Sequence, residues 1–267
     1  MTQLHFALLE NRGLIRIGRE EATHFLQNLV TCDLTVIDET GSGFGALLTP
    51  QGKILFDFLI ARTADGYLLD TPKETLADFT KRLSFYRLRA KVDIEALGEE
   101  PVVVASWGGG AAEPTPGTSF ADPRLTELGH RHIGTRSEIF TALANAGGKE
   151  DTIASYTRHR IGLGVPEALS DYAYSEIFPH DADMDQLNGV SFSKGCYVGQ
   201  EVVSRMQHRG TARSRFLKVS GNKDLPDKGT KITVADRDIG TMGGSIGQNG
   251  LALVRLDRAK KAQDEGN

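Results

Sequence analysis

The sequence contains few cysteines and no long apolar run. Only two of its 267 residues are cysteine, Cys32 and Cys196, and they form no C-x-x-C pair. Disulfide frameworks and self-contained zinc sites need closely spaced cysteines, so neither is expected here. No stretch approaches the roughly 20 apolar residues of a membrane span, and the N-terminus lacks a secretory pattern. These absences predict two free thiols in a cytoplasmic protein that does not enter a membrane.

Charge and motif content argue against several other classes of function. The formal net charge is -4, which disfavours nucleic-acid binding over the whole surface but is compatible with a local basic patch. The histidines are scattered, without the spacing of a metal site, so no metal ligands are expected. No Walker, dinucleotide-binding or G-x-S-x-G pattern occurs, which removes support for ATP, NAD and serine-hydrolase chemistry.

Hydrophobic periodicity predicts an α+β protein with a β-rich end. Strands are expected at 13–17, 43–48, 53–61, 67–70, 90–95, 102–107 and 131–134, and helices at 20–29, 72–83, 137–144 and 152–161. A hairpin turn is expected at 49–52, a flexible segment at 108–116 and a loop at 179–193. Short strands at 214–219, 231–234, 238–242 and 251–256 suggest a small β-barrel, followed by a polar end from 259. The predicted domains are 1–209 and 210–267.

The segment KGCYVGQE, residues 194–201, places Cys196 between two glycines. Glycine permits close backbone approach, and a helix starting near Gly199 would lower the cost of a thiolate, as would Lys194. In that helix Val198, Val202 and Met206 would face inward, and Glu201 would pair with Arg205. The alternative is that Cys196 is a small buried hydrophobe, as many free cysteines are.

Two basic stretches leave their roles open. Residues 194–218 contain six Lys or Arg and one acid, Glu201. Such a run is commonly a solvated face, but it also suits an anion, and a small anionic ligand is favoured over RNA because few aromatic residues are interleaved. Residues 86–91, YRLRAK, are predicted to be extended, with alternate basic side chains on one face.

Several blocks along the chain resemble the YgfZ family in the same order. They are FLQNLVTCDL (25–34), LLTPQGKILFDFLI (47–60), YRLRAKVDI (86–94), RIGLGVPE (160–167), LNGVSFSKGCYVGQEVVSRMQHRG (187–210) and GTMGGSIGQNGLALVRLD (240–257). This family is related to the glycine-cleavage T protein and includes mitochondrial iron–sulfur assembly factors. The resemblance implies a T-protein-like cloverleaf of ferredoxin-like modules with a C-terminal β-barrel, around a central channel that binds tetrahydrofolate or a derivative.

The resemblance also implies a function and a set of site residues. It favours a folate-binding accessory protein in the assembly or repair of iron–sulfur clusters, with Cys196 as the functional thiol, Cys32 uninvolved, and transient complexes with assembly proteins. The residues expected at the folate are Asp57, Tyr86, Arg89, Arg160, Lys194, Tyr197, Glu201 and Arg205.

Two other functions compete with this one. An aminomethyltransferase of the T-protein type would need paired acids in a G-G-x-x-D-D run, where this chain has Phe56 before Asp57. A tRNA-modification factor is the third alternative, because folate-binding domains of this kind also occur in tRNA-modifying enzymes.

Overall fold

Three β-sheets meet around a buried centre in the computed structural model, which describes residues 3–109, 115–210 and 212–265. The strands in chain order are β1 (His5–Leu8), β2 (Arg12–Gly18), β3 (Ser42–Leu48), β4 (Ile54–Thr63), β5 (Gly66–Pro72), β6 (Asp93–Ala96), β7 (Val102–Trp107), β8 (Thr118–Ala121), β9 (His130–Gly134), β10 (Lys149–Glu150), β11 (Ser214–Ser220), β12 (Lys231–Val234), β13 (Arg237–Ile246) and β14 (Asn249–Arg255). The helices are α1 (Ala22–Gln27), α2 (Leu34–Thr40), α3 (Leu76–Arg87), α4 (Arg136–Asn145), α5 (Ile153–Leu163), α6 (Gln200–Arg209) and α7 (Leu256–Asp264), with 3₁₀ turns at Lys73–Thr75 and Thr126–Leu128.

The first sheet has the order β3-β4-β5-β2-β6 and is antiparallel throughout. The predicted hairpin turn between β3 and β4 is confirmed. Gly52 N donates to Thr49 O at 2.8 Å, and Gly52 has φ +80°, a left-handed conformation that glycine adopts without steric cost. Helices α1 and α3 cover the apolar face of this sheet, where Leu26 and Phe79 are fully buried.

The second sheet has the order β10-β1-β7-β9-β8. Strands β1, β8 and β10 were not predicted because they are short, and β8 and β10 lie at the edges of the sheet. The two residues of β10 pair in parallel with β1, an arrangement that depends on a partner more than 140 residues away. Residues 110–114 of the predicted flexible segment lie outside the described residues.

The third sheet is antiparallel, with the order β11-β14-β13-β12. Its four strands confirm the β-rich end, but within the described residues the sheet is open, with β11 and β12 at its edges. Most of the polar end that the sequence shows from residue 259 belongs to helix α7, which packs against β13 and β14. The domain boundary at 209/210 stays a prediction. The third sheet touches the rest of the chain closely at Gly244, whose N–H donates to Asp171.

Two helix predictions need correction. Helix α2 was missed, although Asp33 caps it through Thr35 N and Gly41 ends it in a left-handed conformation. Residues 86 and 87 belong to the last turn of α3 rather than to an extended segment. The following strand, β6, begins only at Asp93, where it can pair with β2. No helix in the described part of the chain is both long and apolar enough to span a bilayer.

Candidate functional site

The loop that carries Cys196 contains both buried and exposed side chains. Cys196 is exposed, while Lys194 and Tyr197 on either side of it are buried. The loop is also tied down at its start, because Ser191 N donates to Thr31 O at 2.8 Å. The structure thus displays the thiol at the surface of a segment whose neighbouring residues are packed, which excludes the alternative of a buried Cys196.

Lys194 points into the protein, away from the surface where Cys196 lies. Its ammonium donates to Val30 O at 2.8 Å and to Cys32 O at 2.6 Å, and only 8% of the residue is exposed. Burial lowers the pKa of Lys194 to about 8. The expectation that Lys194 assists the Cys196 thiolate is therefore wrong, and its ammonium instead anchors the loop to the segment before α2.

The other end of the loop rests on the β3–β4 turn. Gly199 has φ +80°, and a Cβ added there would lie 2.6 Å from Thr49 O and 3.1 Å from the Cα of Gly52. A Cβ at Gly52 would in turn meet the Cβ of Val202 at 2.9 Å. Both glycines are required because two backbones approach each other here.

Helix α6 begins directly after Gly199, as predicted. Its one buried residue is Val203, whereas Val202 and Met206 are only half-buried, so the predicted inward face was assigned one position away from the observed one. Glu201 and Arg205 form the expected pair at 2.5 Å. Both side chains are mainly exposed, which makes this a surface pair.

Cys32 has a different environment from Cys196. It is 5% exposed, and burial raises its pKa to about 12. Its Sγ fills the space above Gly45, where an added Cβ would lie 2.5 Å from the sulfur. Cys32 is thus a packed thiol, and the expectation that it is not the functional one stays a prediction.

Asp57 accepts hydrogen bonds from two tyrosines that the sequence analysis did not identify. Tyr174 Oη lies 2.5 Å from Oδ1 and Tyr172 Oη lies 3.1 Å from Oδ2. Burial raises the pKa of Asp57, outweighing the opposing effects of these hydroxyls and of Arg12. The preceding Phe56 is stacked on Phe79 with ring centroids 4.7 Å apart. The position of a second acid is therefore part of the apolar core.

A buried group of charged residues, here called the central ionic cluster, lies where the three sheets meet. Its members are Arg12, Asp70, Asp122, Arg124, Arg131, Arg160, Glu167 and Asp171. Burial alone would raise the pKa of Glu167, but Arg160 and Arg12 hold it below its usual range. Except for Arg160, these residues were not predicted from the sequence. The signal available in the sequence was a charged residue inside an apolar strand, such as Asp70 in YLLDTP, which indicates a buried charge.

Arg160 connects this cluster to the third sheet. Its Nη1 donates to Asp171 at 2.6 Å and to Val165 O at 2.5 Å, and Asp171 accepts from Gly244 N at 2.8 Å. Arg160 is fully buried, and while its Nη1 is paired, its Nε and Nη2 have no hydrogen-bond partner among the described residues. A contact between Arg160 and the carboxylates of a folate tail stays a prediction.

The residues predicted to bind folate are distributed over separate places. Asp57 lies with Tyr172 and Tyr174, Arg160 lies in the central ionic cluster, Lys194 and Tyr197 are buried under the Cys196 loop, and Glu201 and Arg205 are on the outside of α6. Tyr86 and Arg89 are at the end of α3, where Tyr86 packs against the core of the first sheet. The structure does not bring these residues together in one place, and their contact with a folate stays a prediction.

Comparison with known structures identifies the fold. The chain resembles glycine cleavage system aminomethyltransferase T from Bartonella henselae with a TM-score of 0.78 and 15% identity, covering 96% of this chain and 79% of that one. Residues 213–265 match the CAF17 C-terminal beta-barrel domain. The protein thus has the T-protein fold with a CAF17-type C-terminal domain, and the predicted fold class is confirmed.

Sequence relatives identify the family. A Coccidioides immitis protein named iron–sulfur cluster assembly factor IBA57 homolog, mitochondrial, is 30% identical over 93% of this chain and 71% of its own length. The human iron–sulfur cluster assembly factor IBA57, mitochondrial, is 29% identical over 94% of this chain and 78% of its own. A Mycosarcoma maydis homolog is 31% identical, but the match spans only 56% of that protein. The chain belongs to the IBA57 family of iron–sulfur cluster assembly factors.

These relatives also correct one prediction. Each of the three is named as mitochondrial. The expected cytoplasmic location is therefore contradicted by the names of these relatives.

Proposed function

We propose that this protein is an accessory factor in the assembly or repair of iron–sulfur clusters of selected enzymes, with Cys196 as its functional thiol. Family membership supports the process. The observation that supports the residue is the contrast within one loop, where Cys196 is exposed between buried Lys194 and Tyr197. An accessible thiol on a held loop suits transient ligation of iron or exchange of sulfur with a partner.

A single thiol also makes the proposed function depend on a partner. An ordinary cluster is held by four thiolates, and in the described ranges no three His, Cys, Asp or Glu residues are grouped so that they could hold a metal ion. Any cluster at Cys196 would be shared with another protein or completed by a small thiol. We therefore expect a transient complex with an iron–sulfur assembly protein.

The test is a comparison of Cys196→Ser with Cys32→Ser in a strain that lacks the native protein. Both substitutions remove one thiol, and thermal melts establish that each variant is folded. The readout is the activity of cluster-containing enzymes such as aconitase. We expect Cys32→Ser to rescue this activity and Cys196→Ser to fail. Equal rescue by the two folded variants would remove Cys196 from the proposed function.

Folate binding stays a prediction that rests on the family resemblance, as does the narrower assignment to YgfZ. The fold is that of an aminomethyltransferase at 15% identity, which supports the fold alone, and the predicted contact residues are dispersed. We derive no step through folate. Calorimetry of the reduced, folded protein with tetrahydrofolate decides the matter, and Asp57→Asn is the variant to include because Asp57 is the retained acid.

An aminomethyltransferase is the less supported alternative. It would need a carboxylate free to approach the folate amine, but both oxygens of Asp57 accept tyrosine hydroxyls and the neighbouring acid is replaced by Phe56. The deletion strain distinguishes the alternatives. A defect in glycine cleavage, or in modified tRNA nucleosides, with normal cluster enzymes would favour a transferase or a tRNA-modification factor over the proposed function.

A further inference from the structure

The end of helix α3 exposes two large apolar side chains. Phe85 is 72% exposed and Leu88 is 88% exposed, which makes them the most exposed large hydrophobic residues in the described part of the chain. They are three positions apart at a corner where the helix ends and the chain turns towards β6. Residues 81–91 are here called the α3 corner.

The charges at this corner are of one sign. Residues 81–91 include five Lys or Arg and no acid. Lys91 pairs with Glu20 at 2.9 Å. The other four, Lys81, Arg82, Arg87 and Arg89, are exposed and form no ion pair with any described residue. The nearest acid on the helix is Asp78, which lines a shallow cavity with Phe56, Lys81, Arg82 and Phe85.

The backbone holds Leu88 in its exposed position. Leu88 has φ +45° and ψ -106°, a conformation that a leucine adopts only at a cost. The segment after it is anchored, because Ala90 N donates to Arg87 O at 2.7 Å and Lys91 N donates to Glu21 Oε2 at 2.5 Å. Leu88 thus has a strained backbone conformation although its exposed side chain gains almost no packing from it.

We propose that the α3 corner binds the surface of an anionic phospholipid bilayer. Phe85 and Leu88 would enter the interface between headgroups and acyl chains, and the four unpaired cations would contact the phosphates. Surface binding of this kind needs no membrane-spanning helix. Two largely exposed apolar side chains fit a deformable bilayer better than an acidic protein, since a specific protein interface needs a far larger complementary surface.

The experiment is sedimentation of the full-length protein with phospholipid vesicles. One set is pure phosphatidylcholine, and the other contains about one third phosphatidylglycerol, which supplies the negative surface potential. We expect binding to the anionic vesicles at low ionic strength and loss of binding at high salt, because exposed charges are then screened. No binding to anionic vesicles at low ionic strength would overturn the proposal and leave an acidic protein as the candidate partner.

Charge variants test whether the α3 corner is the surface that binds the vesicles. Lys81→Gln combined with Arg82→Gln should weaken partitioning by about fivefold per cation. The control combines Lys223→Gln with Lys260→Gln, two exposed cations elsewhere that change the net charge by the same amount. Equal effects of the two pairs would show a response to overall charge, and the α3 corner would then be excluded.

The variant Leu88→Gly tests whether the exposed side chain of Leu88 contributes to vesicle binding rather than to stability. Glycine relieves the left-handed strain, so the variant should melt at the same or a slightly higher temperature than the wild type. It should nevertheless bind anionic vesicles several-fold more weakly, since the inserting side chain is gone. Unchanged vesicle binding, or a lower melting temperature, would contradict the assigned role of Leu88.

Discussion

Gly199 and Gly52 bring the Cys196 loop and the β3–β4 turn into direct backbone contact. A Cβ on Gly199 would lie 3.1 Å from the Cα of Gly52 and 2.6 Å from Thr49 O. The position of Cys196 thus depends on a turn that is more than 140 residues earlier in the chain. Gly195, on the other side of the thiol, has open space around it.

These two glycines provide a matched pair of substitutions. Gly199→Ala should lower the free energy of unfolding by about 2–4 kcal/mol, because it combines a left-handed φ with overlap against backbone. Gly195→Ala should change it by less than about 0.5 kcal/mol. Urea unfolding measures both. If the two variants were equally stable, the contact between the loop and the turn would not support the loop.

The two thiols should differ in accessibility. With Ellman's reagent, the native protein should release one equivalent rapidly from Cys196 and the second only on unfolding, because Cys32 is packed against Gly45. Cys196→Ser should abolish the rapid phase, and Cys32→Ser should leave it unchanged. Rapid labelling of the Cys196→Ser variant would contradict the burial of Cys32.

Lys194 should make stability depend on pH in the alkaline range. Its pKa is about 8 in the folded protein and 10.5 ordinarily, so between these values the unfolded state binds more protons. The contribution of Lys194 to the unfolding free energy should therefore increase as pH rises through this window. Below pH 8 the lysine is charged in both states and the cost of its burial is fully present.

Lys194→Met provides the measurement. It leaves the carbonyls of Val30 and Cys32 without their donor, at a cost of about 1–3 kcal/mol for each unsatisfied group. The stability difference between wild type and Lys194→Met should widen from the lower to the upper end of the pH window. Lys223→Met, at an exposed position, should show a constant difference. A stability difference between wild type and Lys194→Met that narrows as pH rises would contradict the assigned environment of Lys194.

Buried and exposed ion pairs should differ strongly in their effect on stability. Arg160→Met leaves Asp171 buried without its partner and should cost about 3–5 kcal/mol. Arg205→Gln breaks the exposed pair with Glu201 and should cost no more than about 0.5 kcal/mol. Thermal and urea unfolding compare the two. A small effect of Arg160→Met would mean that the central ionic cluster does not hold the third sheet in place.

The sequence by itself determined the local features of this protein. Proline and glycine specified the 49–52 turn, the spacing of Glu201 and Arg205 predicted their surface pair, and glycine at 199 marked the start of α6. These outcomes depend on residues within about one helical turn of each other, so composition and period are sufficient to predict them. The family blocks added the fold class.

Only the tertiary structure decided which way the side chains of the candidate site residues point. Lys194 and Cys196 are two positions apart, yet one binds carbonyls near Cys32 while the other faces solvent. Asp57 meets Tyr172 and Tyr174 across more than 110 residues, and Arg160 pairs with Asp171 in the interior. Burial and partner choice arise from contacts between distant segments, and a local pattern carries no information about which distant segment will supply the partner.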